Sequence, residues 1–177
     1  MKTVFKAKRI YGFYRLLESV PLMKQSPERR QLALMVDYLF GRGVSKVLPK
    51  QGFRLYRSRR SGRVKSIFLD GRLFATVKPN GAMALSMEGA EILSRSPRFK
   101  RNCVQVSDDV VGFVRGGKSV FCKFVRWAGD NVYPKSEVAI TDGKGKVVGV
   151  GMAVLNGRVM SQFKSGVAVK VRAGATK

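Results

Sequence analysis

Two consecutive glycines, Gly116 and Gly117, stand between a helix signal and a strand signal, and that order restricts the fold more than any other feature of the chain. Upstream, Ser107 supplies an N-cap, and Asp108 and Asp109 place carboxylates in the first turn, where the helix dipole favours them. Val110, Val111, Phe113 and Val114 continue the helix, and the glycines then act as C-cap and turn. Downstream, 119–125 is β-branched and aromatic, as a strand requires. The same stretch, Gly112 through Gly117, Lys118 and Ser119, fits the G-x-x-x-x-G-K-[ST] spacing of a phosphate-binding loop. That loop needs a buried strand before it and a helix after it, because the free N–H groups of the helix N-terminus hold the phosphates. Here the order is helix, glycine turn, strand. No second magnesium-binding motif follows, since Ile67-Phe68-Leu69-Asp70 lies upstream and runs into an Asp-Gly turn. A nucleotide triphosphatase is set aside on that ground.

The rest of the C-terminal part keeps the same rhythm. Strands are expected at 103–106, 119–125, 136–141, 146–154 and 167–172, with helices at 108–115 and 157–163. Five short strands with two short helices predict a small closed or nearly closed β barrel. Gly149 and Gly151 are read as bend residues of that barrel.

Before residue 101 the pattern differs. Ser26, Pro27 and a terminal Gly41 frame an amphipathic helix carrying Leu32, Met35, Val36 and Leu39. The segment 10–22 reads as a shorter helix ended near Pro21. Strands follow at 53–56, 64–69, 73–77 and 82–85, joined by an Asp70-Gly71 hairpin turn and by Pro79-Asn80-Gly81. Ser86 then caps a helix that ends before Pro97. The chain is therefore expected to be α+β, with a small α+β domain over 1–101 and the barrel domain over 102–177.

Charge narrows the partner. Thirty-five Lys and Arg stand against 11 Asp and Glu, a net +24, and such an excess calls for a polyanion such as nucleic acid. Residues 1–101 hold 23 basic and 6 acidic side chains, and 102–177 hold 12 and 5. Arg54, Arg57, Arg59, Arg60, Arg63 and Lys65 form the densest cluster, interleaved with Phe53 and Tyr56 on an expected hairpin with its tip at Ser61-Gly62, where guanidinium groups suit phosphates.

Chemistry is scarce. The absence of histidine removes the commonest general base and metal ligand, and Cys103 and Cys122 are too few for a zinc site. Both thiols are expected as buried small hydrophobes in a reducing compartment. Glu88 and Glu91 are expected to balance Arg95 and Arg98. No cofactor, metal or catalytic residue is expected, and no run of about 18 apolar residues offers a membrane span. No signal-peptide core opens the sequence, which makes a cytoplasmic protein the expectation.

Residues 116–125, 149–153 and 163–172 resemble the PUA domain, named from pseudouridine synthases and archaeosine transglycosylases. The stretches 69–77 and 85–90 resemble the domain that precedes PUA in archaeal tRNA-guanine (archaeosine) transglycosylase. The catalytic barrel of that enzyme, with its aspartates and zinc ligands, has no counterpart in the sequence, so the resemblance implies tRNA binding and not base exchange. It also implies an RNA face of Gly116, Gly117, Lys118, Ser119, Lys123, Arg126, Lys164, Lys170 and Arg172. For Lys170 and Arg172 the solvent face of an alternating strand is an equal reading.

Two functions follow as expectations. The first is a tRNA-binding subunit or accessory factor of a separately encoded tRNA-modifying transglycosylase, recognising phosphates, 2′-hydroxyls and shape. The second is a ribosomal or ribosome-assembly protein that binds rRNA, for which the large charge is the main design feature. A translation-initiation role is a third.

Overall fold

The computed structural model describes residues 27–175; the expected helix within 10–22 and the Ser26 cap lie outside them. Helix α1 (Pro27–Phe40) starts on proline and ends at Gly41, whose φ of 112° suits glycine. Leu32, Val36 and Phe40 recur every fourth residue and are buried on one face. They share a core with an antiparallel meander of β1 (Phe53–Arg57), β2 (Val64–Leu69), β3 (Arg72–Val77) and β4 (Met83–Leu85). Asp70 and Gly71, both at positive φ, make the two-residue turn between β2 and β3. Helix α2 (Met87–Ser94) is capped by Ser86, whose hydroxyl accepts the Gly89 N–H at 3.0 Å.

Among the described residues the second sheet has six strands, ordered β6-β10-β9-β8-β5-β7. They are β5 (Cys103–Val106), β6 (Val120–Phe121), β7 (Val125–Ala128), β8 (Glu137–Thr141), β9 (Val147–Ala153) and β10 (Val167–Gly174). Only β5 and β8 are parallel. Helix α3 (Val111–Arg115) follows a 3-10 turn at Asp108–Val110, and α4 (Gly157–Met160) is shorter than the 157–163 expected. The strand expected at 119–125 is two strands, because a 3-10 turn at Cys122–Phe124 breaks it. At that turn Cys122 goes inward, its N–H donating to the Gly166 carbonyl at 2.9 Å, while the Phe124 carbonyl accepts Ser107 N–H at 3.0 Å. One chain segment thus supplies β6 to one edge of the sheet and β7 to the other, which nearly closes the barrel and leaves little free edge.

Two cores meet at one wall. Val104, Val106, Val120, Ile140, Val148 and Val169 fill the barrel. Ala139, Val147 and Val150 of β8 and β9 join the core of α1, α2 and the first sheet. Asn102, buried at the junction, donates through Nδ2 to the Phe40 carbonyl at 2.7 Å and accepts from Asn131 Nδ2 at 2.5 Å. Glu88 faces Arg72 at 3.7 Å in place of the expected Arg95 or Arg98, and Arg98 donates to the Arg42 carbonyl at 2.8 Å.

Gly151 pairs with Val138 on one side and Val171 on the other. A Cβ there would come within 2.3 Å of the Lys170 carbonyl oxygen, which belongs to strand backbone and has nowhere to move. Gly151→Ala is expected to cost about 3 kcal/mol, the upper part of the range for overpacking. A thermal melt checks it, and an unchanged midpoint would show that β9 and β10 separate freely.

Candidate nucleic-acid interface

The glycine turn ends α3 in a Schellman motif. Gly117 N–H donates to the Val114 carbonyl at 2.9 Å, Lys118 N–H donates to the Phe113 carbonyl at 3.0 Å, and Gly117 takes a φ of 81°. The N–H groups that a phosphate-binding loop would aim at a nucleotide are spent on the helix C-terminus. Gly116, Gly117, Lys118 and Ser119 are all exposed, and a Cβ built on Gly117 would meet nothing within 4 Å. The turn therefore offers backbone that a ligand can approach closely.

Pairing of β6 with β10 brings further expected residues to the same edge. Phe121 is the register partner of Val167, and the Cys122–Gly166 hydrogen bond sets Lys123 beside the 163–166 loop that carries Lys164. Lys123 Nζ lies 4.8 Å from the Phe124 ring centroid. Lys170 is exposed on β10. Three aromatics that the sequence reading passed over are also exposed on these segments: Phe113 (65%), Phe121 (47%) and Phe163 (50%). Their signal in the sequence is the interleaving of aromatic and basic residues.

Two expected residues point elsewhere. Arg126, on β7, borders a small cavity with Ser107, Asp108 and Asp109. Arg172 joins the two halves of the molecule: Nη1 is paired with Glu137 and Nη2 donates to the Leu85 carbonyl at 2.6 Å. Lys78 Nζ meets the other Glu137 oxygen at 2.6 Å. Arg172 and Lys78 thereby hold a carboxylate that is only 4% exposed.

The basic hairpin forms a second surface. Ser58 N–H donates to the Arg63 carbonyl at 2.9 Å, Gly62 N–H to the Ser58 carbonyl at 2.8 Å, and the tip leaves Arg59, Arg60 and Arg63 exposed. Arg57 is committed, donating to Gln31 Oε1 at 2.7 Å and to the Gly62 carbonyl at 3.3 Å. Arg54 and Lys65 are exposed, and Tyr56 packs edge-on against Phe68 at 5.1 Å. A groove between this hairpin, α1 and the β3–β4 turn is lined by Arg57, Arg63, Lys65 and Lys78 over Met35 and Val77.

Reactive chemistry is sparse among the described residues. Burial pushes the Cys103 thiol up to about 12 and the Cys122 thiol up as well, so neither is a thiolate at neutral pH. The hydrogen bond from Arg101 holds Asp130 below the usual carboxylate range, in an exposed bidentate pair at 2.8 and 3.0 Å. No group of three or more potential metal ligands occurs, and no helix is long and apolar enough to cross a membrane, among the described residues.

Residues 102–175, which form the nearly closed six-stranded barrel with the open glycine turn, match the PUA domain family. Residues 30–99 match the patch-forming domain C2 of tRNA-guanine transglycosylase, so the chain joins a C2 patch domain to a PUA domain. The resemblance read from the sequence holds. The tRNA-guanine(15) transglycosylase of Thermococcus onnurineus is 36% identical over 150 residues, covering 84% of this chain and 26% of that protein. That of Pyrococcus abyssi is 35% identical over 146 residues, covering 82% and 24%. The chain thus spans about a quarter of the length of these curated relatives. A hypothetical protein of Pyrococcus horikoshii has the same fold, with a TM-score of 0.65, 18% identity and coverage of 85% and 91% of the two chains. A conserved PUA domain protein of Thermoplasma acidophilum gives a TM-score of 0.59 at 15% identity, covering 84% and 89%.

Proposed function

We propose that this chain is a non-catalytic RNA-binding protein that holds tRNA for a tRNA-modifying enzyme of the archaeosine transglycosylase kind, as a subunit or accessory factor in the cytoplasm. The observation that carries the reading is the open Gly116–Gly117 turn with Lys118, Lys123 and Lys164 on one barrel edge. Its support is the match to the C2 and PUA portion of relatives named for tRNA-guanine exchange. The two domains are read as 1–101 and 102–177. The primary RNA face comprises Gly116, Gly117, Lys118, Ser119, Lys123, Lys164 and Lys170, and the hairpin arginines form a second contact. Arg172 serves the junction between the domains instead.

The net +24 also fits a ribosome component. Crosslinking the protein to RNA in its native cells, and sequencing what is attached, separates the two. Reads concentrated on tRNA, at the acceptor end or D-arm, are expected. A single discrete ribosomal RNA site would overturn the tRNA reading in favour of the ribosome.

A further inference from the structure

A cleft of about 330 Å³ opens where the 3-10 turn Pro97–Asn102 meets the outer wall of β8, β5 and β7. Thr141, Gln105 and Trp127 are register partners across those three strands, so they form one row on the wall. Gln105 Nε2 donates to the Asp142 and Gly143 carbonyls at 3.2 and 3.1 Å, which fixes the β8–β9 turn and the Lys144 it carries at the rim. Lys100 Nζ lies 5.1 Å from the Trp127 ring centroid. Trp127, the chain's one tryptophan, keeps 38% of its surface in water. Among the described residues that line the cleft, none is acidic.

In the strand order β6-β10-β9-β8-β5-β7, β5 stands three places from β10. The Trp127 row is thus built on strands other than β10, and its own strand β7 follows β6 through the Cys122–Phe124 turn. A half-exposed indole with one lysine over its ring and another at the rim of the same cleft has chemistry that matches one class of partner. An unstacked base supplies a π face of similar size, and the phosphate attached to it supplies the anion. An acidic peptide would satisfy the lysines but leave the indole unmatched.

We propose that this cleft is a second RNA site that takes one unpaired nucleotide, its base against the Trp127 indole and its phosphate on Lys100 and Lys144. The proposal rests on RNA being the partner, as above, and adds to the glycine-turn edge a nucleotide site on the wall of β8, β5 and β7.

Trp127 reports on itself, since no other indole contributes emission. The full chain is titrated with a single-stranded adenosine hexamer, binding being followed by anisotropy of the labelled strand and stacking by tryptophan emission. Saturable quenching is expected, and it persists in Lys118→Glu/Lys123→Glu. Trp127→Leu is expected to weaken the hexamer about tenfold, the size of one base–aromatic stack. Lys144→Glu, which leaves the contact of Lys100 with the indole in place, should weaken the quenching titration in parallel. Hexamer binding with unchanged emission would overturn the Trp127 site, as would binding of folded tRNA without the hexamer. Failure to bind either RNA would overturn the RNA reading itself.

Discussion

Replacing Lys78 and Arg172 together by methionine, with Glu137 left in place, is expected to lower stability by about 3 kcal/mol, the low end of the cost of stranding one member of a buried ion pair. The reason lies in the asymmetry of the trio. Glu137 is 4% exposed, whereas Lys78 and Arg172 keep 36% and 38% of their side chains in water. Each cation regains solvent easily when its partner goes, but the carboxylate does not. Glu137→Leu added to the same background is expected to restore most of the loss, because an apolar trio of similar volume meets no desolvation cost. Urea midpoints at constant denaturant slope measure both steps. A double variant as stable as the parent would mean that water reaches Glu137 at the junction. The same variants separate the two readings of Arg172: a tie between domains changes the melt more than it changes RNA affinity.

What could be read from the sequence was local. Gly41, Ser86, the Asp70-Gly71 turn and the Gly116–Gly117 cap each carry their signal within a few residues, and each lies where that signal placed it. The exception in the barrel is also local in appearance. Val120 to Val125 has uniform strand propensity, and only its pairing with Gly166 at one point and Ser107 at another bends it into two strands. Site residues fail for the same reason. Arg172 looks like a solvent-facing strand residue until β10 sets it against Glu137, 35 residues away, and Leu85, 87 away. Trp127 carried no signal, because its exposure depends on a turn from the other domain and on its own strand β7, which the five-strand reading did not contain. Charge was legible as a total but not as a surface, since exposed Arg57 is bonded to Gln31 and Gly62 of the same chain whereas no such bond engages Arg59 or Arg60 among the described residues.

The steepest response expected of the RNA complex is to salt. A protein that neutralises six or more phosphates loses about a thousandfold in affinity between roughly 50 and 200 mM salt, as released counterions become harder to dissipate into a concentrated solution. The slope of log affinity against log salt counts contacts, so it can be divided among surfaces. Lys118→Glu/Lys123→Glu should flatten it by about 2, and reversal at Arg59 and Arg60 by a similar amount, at somewhat under one unit per phosphate. Arg57, already bonded to Gln31 and Gly62, should contribute less than either neighbour. Trp127→Leu should shift the line without changing its slope, because stacking releases no counterion. Filter binding across a salt series reads all four. An unchanged slope in Lys118→Glu/Lys123→Glu would remove the glycine-turn edge from the RNA interface, and the hairpin arginines would then have to account for the affinity.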